Sequence, residues 1–242
     1  RQRRRRGGGA RSRGKRRAPV RKVLIGGVAI FAIVVAAAIG YRLLTPPETE
    51  PAVATPSPTA PTRAGLPAVH ADDKILGSPE AQVTVIEYAS LTCPHCAAFH
   101  NNSLPRIKAE LIDKGLVRLV YRDFPLDQVA LRAALLARCA PDERYFSLLE
   151  VLFRTQSDWA ESTDPAGALA QIGRTAGMSQ ETIDGCMADE ARVDRIAAGY
   201  QEAQTGFDVR STPTFIINGE KHTGALAFED VEKIVKGLLP KS

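Results

Sequence analysis

The stretch "VTVIEYASLTCPHC", Val83 to Cys96, puts two cysteines two residues apart at the point where a continuous apolar run ends. The longer segment "AQVTVIEYAS" is rich in β-branched and aromatic residues, which predicts a central strand buried on both faces. Helical spacing follows in "CAAFHNNSLPRIKAELIDKG" up to Gly115, with Pro105 expected to kink the helix. A cysteine at a helix start meets free backbone N–H groups and the positive end of the helix dipole, which favour its thiolate. Cys93 occupies that place and Cys96 lies one turn inward, so the pair is arranged for thiol–disulfide exchange. His95, between them, brings an imidazole that stabilises a thiolate when cationic or as a hydrogen-bond donor. A zinc site normally needs four ligands, and the other two cysteines, Cys139 and Cys186, stand alone. Neither a metal nor a cofactor is expected.

The chain of 242 residues, 44% hydrophobic, is long enough for one well-buried domain plus extensions. After the helix, "LVRLVYRDFPL" predicts a second strand. The stretch from Asp127 to about Gln204 carries only helical signals and fits four or five helices. "TPTFIING" and "EKHTG" form a predicted hairpin turning at Asn218–Gly219, and "AFEDVEKIVKGLL" a closing amphipathic helix. The order is strand, helix, strand, helical block, two strands, helix: an α/β fold with a mixed sheet and no internal repeat.

The formal charge of +5 is misleading. Residues 1–22 hold 12 of the 32 basic residues and no acid, which leaves 20 basic against all 27 acidic residues, a net of −7, in the rest. A nucleic-acid partner is not expected, because such a domain needs its basic groups on one folded face. Val23–Tyr41 is nineteen residues without a charge, and as a helix it reaches roughly 28 Å, enough to span a bilayer. The one-sided positive flank predicts a basic cytoplasmic arm at 1–22, a transmembrane anchor at 23–41 and everything beyond it exported. A cleavable signal peptide competes with this reading, because Ala36–Ala38 resembles a small-residue cleavage site. Thr45–His70 contains seven prolines in 26 residues and hardly a core-forming side chain. Residues 42–71 therefore read as a semi-rigid linker, and 72–242 as the working domain.

"VIEYASLTCPHCAAFH", with "VRSTPTFIING" far downstream, resembles the DsbA family of exported thiol–disulfide oxidoreductases, over roughly Asp73 to Leu239. The resemblance implies a thioredoxin-like mixed sheet with an all-helical subdomain inserted at about 127–206. It also implies a strongly lowered cysteine pKa and an oxidising potential. Cys93 becomes the exposed nucleophile, Cys96 the buried resolving cysteine and His95 the residue that tunes Cys93. Pro213 matches the family's cis-proline, which lays the Thr212 backbone against the active site. Glu87 resembles the buried acid that assists proton movement at the second cysteine, with Arg118 and Arg122 as possible partners. Cys139 and Cys186 fall near the ends of predicted helices, and in an oxidising compartment they read as a structural disulfide rather than a second redox pair.

The function expected is a membrane-tethered enzyme that donates the Cys93–Cys96 disulfide to reduced, unfolded exported proteins and is reset by a membrane thiol oxidase, DsbB-like or equivalent. The same chemistry run the other way, as an isomerase or reductant kept reduced by a membrane partner, is the alternative. Thr212 leans toward it, since Thr before the proline looks more like the isomerase branch. A non-catalytic holdase is a third possibility, against which the intact cysteine pair argues.

Overall fold

The computed structural model describes residues 67–240, and its sheet is built from β1 (Lys74–Leu76), β2 (Val83–Ala89), β3 (Val117–Asp123), β4 (Thr214–Ile217) and β5 (Glu220–Thr223). The arm, the apolar run at 23–41 and the linker as far as residue 66 lie outside the described residues. Among the described residues no helix is long and apolar enough to cross a membrane.

The spatial order is β1-β3-β2-β4-β5, with β2 parallel to β3 and every other pairing antiparallel. All seven residues of β2 are buried, as a run with apolar side chains on both faces requires. On one face Val83, Val85, Val117, Leu119, Phe215 and Ile217 pack against the helices. On the other, Ile86, Tyr88, Val120 and Ile216 close over Ala203 and Val209. Strand alternation places Glu87 on the same face as Val83 and Val85, in register with Tyr121 on one side and Phe215 on the other.

The helix after the cysteines is not simply kinked at Pro105. It runs as α1 (Pro94–Ala98), a π-type turn at Phe99–Ser103, α2 (Leu104–Ile107) and a second π-type turn at Lys108–Ile112. Pro105 has no N–H to offer the carbonyl four residues back, and the wider turn ahead of it accommodates that loss. The helical block holds six helices rather than four or five: α3 (Gln128–Arg138), α4 (Asp142–Arg154), α5 (Gln156–Ala160), α6 (Pro165–Thr175), α7 (Gln180–Met187) and α8 (Glu190–Gly206). The addition is α5, whose five residues are too few to show a helical period. Asp127, Asp164, Ser179 and Asp189 each cap a helix by accepting a backbone N–H three residues on.

Two boundaries also move. The edge strand β1 has no counterpart among the strands expected from sequence, because three partly exposed residues are too few to carry a strand signal. Residues 68–73, mostly assigned to the linker, are tied to the domain: Arg122 donates to the Ala68 carbonyl and pairs with Asp73 at 2.7 Å. The final hairpin turns at Asn218–Gly219, where φ is +43° and +96°, the left-handed pair a two-residue type I′ turn needs. The closing helix α9 (Phe228–Leu238) buries Phe228, Val231 and Val235.

Cys139, at the C-terminal cap of α3, is disulfide-bonded to Cys186 of α7, with Cα atoms 6.1 Å apart and a sequence separation of 47. Closing a loop of that size removes unfolded-state entropy equivalent to about 4 kcal/mol. Replacing both cysteines by Ala is expected to lower the melting temperature by about 10 °C in scanning calorimetry, without abolishing folding. An unchanged melting temperature would contradict a stabilising role.

Candidate active site

Cys93 is the N-cap of α1, and its backbone N–H donates to the Ser90 carbonyl at 3.1 Å. Three further contacts hold this loop. Thr92 Oγ1 donates to Asp127 Oδ2 at 2.6 Å, and the other oxygen of Asp127 caps α3, so one carboxylate ties the cysteine loop to the start of the helical block. Gln156, the first residue of α5, donates through Nε2 to the carbonyls of Leu91 at 2.7 Å and Cys93 at 3.0 Å. The Cys93 carbonyl also accepts the Ala97 N–H within the helix. Gln156 thus supplies a donor to the Leu91 carbonyl and a second donor to the Cys93 carbonyl, clamping the chain on both sides of Thr92.

Both cysteines of the pair are free thiols in this structure; Cys93, expected to be exposed, is buried with 6% of its surface accessible, and Cys96 is 0% exposed. The Thr212–Pro213 peptide is cis and precedes β4, and the Cys93 thiol donates to the Thr212 carbonyl at 3.3 Å. The Thr212 hydroxyl is buried and has no hydrogen-bond partner among the described residues.

The two sulfurs are pushed in opposite directions. Cys93 is lowered from the ordinary 9.0 to about 5, chiefly by the hydrogen bond it receives from the Cys96 thiol. Burial opposes this; the Thr212 side chain and the backbone N–H groups of Cys96 and His95 add to it. The unpartnered Thr212 hydroxyl is therefore a donor that ionisation of Cys93 satisfies. Cys96 is pushed far above the ordinary thiol value, first by burial, then by its hydrogen bond to Cys93 and by the Glu87 charge. One sulfur is a thiolate at neutral pH; the other keeps its proton.

The structure thus brings Cys93, Cys96, Thr212, Pro213 and Glu87 together. His95 stands at the site with an exposed side chain, and its backbone N–H is among the groups that lower Cys93. Cys139 and Cys186 lie apart, within the helical block. The partners considered for Glu87 are replaced by another. Arg118 donates to Thr84 Oγ1 and the Pro79 carbonyl, and Arg122 is bound to Asp73 and Tyr88. Glu87 instead meets His100, whose Nε2 lies 3.1 and 3.0 Å from its two carboxylate oxygens. His100 was detectable, since it stands four residues after Cys96 on the same helical run. Gln156 was not, since nothing in its local sequence connects α5 with carbonyls 63 and 65 residues earlier.

A family model described as thioredoxin matches residues 70–237. Crystalline alpha-DsbA1 of Wolbachia pipientis is 31% identical, with 70% of this chain and 92% of that one covered at a TM-score of 0.66. A protein-disulfide isomerase from Novosphingobium aromaticivorans is 28% identical, covering 69% and 97% of the two chains at a TM-score of 0.61. A Rickettsia bellii protein named "Putative protein-disulfide oxidoreductase" is 31% identical over 149 residues, which is 61% of this chain and 58% of that protein. The chain spans 55–60% of the length of the Rickettsia relatives it matches.

Proposed function

We propose, from the premise that this chain belongs to the thioredoxin family and to its DsbA branch, that it is a protein thiol–disulfide oxidoreductase that donates the Cys93–Cys96 disulfide to reduced substrate proteins. The observation that carries this reading is the split between the two sulfurs, Cys93 held at about 5 beside a buried, protonated Cys96. A substrate thiolate attacks Cys93 Sγ, the Cys93–Cys96 bond breaks, and its electron pair goes to Cys96, which takes up a proton. The substrate's second thiolate then attacks its own sulfur in the mixed disulfide and expels Cys93 as a thiolate. Two electrons have passed to the enzyme, and the substrate holds the new disulfide. Because Cys93 is a stabilised thiolate, it leaves readily and the reduced enzyme is the low-energy state. Glu87, buried on the sheet face toward α1, serves proton movement at Cys96. The Thr212–Pro213 segment offers its backbone to an extended substrate beside Cys93.

The domain works outside the cytoplasm, tethered by residues 23–41 with the arm at 1–22 inside; the charge asymmetry and length of those segments support this. Its substrates there are reduced exported proteins, and a DsbB-like membrane oxidase restores the disulfide. An isomerase role is favoured by two observations, Thr212 before the cis-proline and the likeness to the Novosphingobium protein named an isomerase.

Equilibration of the full chain with glutathione separates the two. The oxidase reading expects a potential well above the about −270 mV typical of thioredoxin, fast oxidation of a reduced substrate and poor rescue of a scrambled one. A thioredoxin-like potential with efficient rescue would establish the isomerase instead.

A further inference from the structure

When the Cys93–Cys96 disulfide opens, the leaving sulfur is Cys96, which is 0% exposed and cannot stay ionised where it stands. A proton has to reach it inside the protein. Glu87 is also fully buried, and a lone buried carboxylate would cost several kcal/mol unless paired or protonated. His100 meets both needs. Its side chain is 3% exposed, its Nε2 bridges both oxygens of Glu87, and it lies one helical turn beyond Cys96. Its ring is fixed by stacking on Phe153 of α4 at 4.0 Å and by edge contacts with Tyr121 and Phe99 at 5.8 and 5.6 Å.

The other groups around this couple are poor sources. From β4 comes Phe215, which is apolar, and from α4 Phe153. Tyr121 of β3 and Tyr145 of α4 present buried hydroxyls with no partner among the described residues, and burial pushes both phenols well above their ordinary range. Arg138 is held by Asp123, and Lys74 sits over the Tyr145 ring.

We propose that His100 is a positioning residue for the proton of Glu87, and that the Glu87–His100 couple supplies the proton that Cys96 takes up when the disulfide opens and recovers it when Cys96 attacks. This rests on the oxidoreductase reading above and extends it by naming where the proton is kept. In the forward step the S–S bond breaks, its electron pair stays on Cys96, and one proton moves from the couple to that sulfur. The couple is left as carboxylate and neutral imidazole and regains its proton from Cys96 on reoxidation. A histidine suits the task because either partner can hold the shared proton while the pair remains hydrogen-bonded.

The test is rapid-quench kinetics on the full chain from pH 5 to 9. It follows opening of the disulfide by glutathione and decay of the Cys93–glutathione mixed disulfide through Cys96. His100→Gln keeps a donor to Glu87 but holds no proton, so both rates at neutral pH are expected to fall at least about tenfold, the lower end of what general acid–base groups contribute. The midpoint of Cys93 ionisation should stay where it is. Glu87→Gln should show the same loss and the double variant no more, because the two act as a unit. Wild-type rates in His100→Gln would overturn the proposal, leaving His100 a hydrogen-bond donor only, and so would losses that multiply in the double variant. Failure of the wild-type chain to form a mixed disulfide at Cys93 would instead remove the oxidoreductase reading itself.

Discussion

Cys96→Ser is expected to accumulate mixed disulfides with substrate proteins through Cys93, whereas Cys93→Ser should trap almost none. The difference follows from the opposite environments of the two sulfurs. Cys93, lowered to about 5, is ionised at neutral pH and lies against the Thr212 carbonyl, where an extended substrate would run. Cys96 has no exposed surface, and burial keeps it protonated. Removing Cys96 therefore leaves an attacking thiolate with no neighbour to resolve the adduct. Removing Cys93 leaves a thiol that neither ionises nor meets the substrate. Net substrate oxidation should drop by at least about three orders of magnitude in both variants, the scale on which loss of a nucleophile is felt. Non-reducing gels with mass mapping check the assignment, and equal trapping by the two variants would reverse it.

The parts of this fold that could be read from sequence are those where one physical requirement dominates a short stretch. Val83–Ala89 has to be a central strand because apolar side chains point to both faces, and Asn218–Gly219 has to turn because both residues accept positive φ. Cys93 and Cys96 were legible for the same reason: a strand-to-helix junction places one sulfur at free N–H groups and the next a turn inside. What escaped depends on contacts between distant segments. Arg118 and Arg122 were reasonable charge partners for Glu87 until the register was known. Glu87 pairs with Tyr121, and alternation then turns both arginines to the opposite face of the sheet. His100 carried a signal in its spacing from Cys96, but that spacing gains meaning only when a buried carboxylate is known to face the same helix. Gln156 had no signal at all. Its role arises because the helical block folds back on the cysteine loop, bringing a five-residue helix against Leu91 and Cys93. His95 adds a contribution that its side-chain chemistry does not announce, a backbone N–H that helps to lower Cys93.

The second large effect is the pH dependence of the reduced state. A thiol whose folded pKa lies below its unfolded value stabilises the reduced fold, fully so above the unfolded value and progressively less as pH falls toward the folded one. For Cys93 that window runs from about 9 down to about 5. Over most of it Cys96 stays protonated and contributes nothing to the slope. The reduced chain should therefore gain stability relative to the oxidised chain as pH rises from 5 toward 9, and the pair should lose oxidising power relative to an ordinary dithiol as pH falls through that window toward 5. Thr212→Val removes the hydroxyl that ionisation satisfies and should raise the Cys93 midpoint. The measurement that reaches the central claim most directly is the ultraviolet thiolate absorbance of the reduced full chain, titrated from acid to pH 9 beside Cys93→Ser. A single sulfur ionising with a midpoint near 5 and absent from Cys93→Ser is the predicted result, with thiolate exceeding thiol by about 100 to 1 at pH 7. A midpoint near the ordinary 9.0, or a low midpoint that survives in Cys93→Ser, would contradict the account.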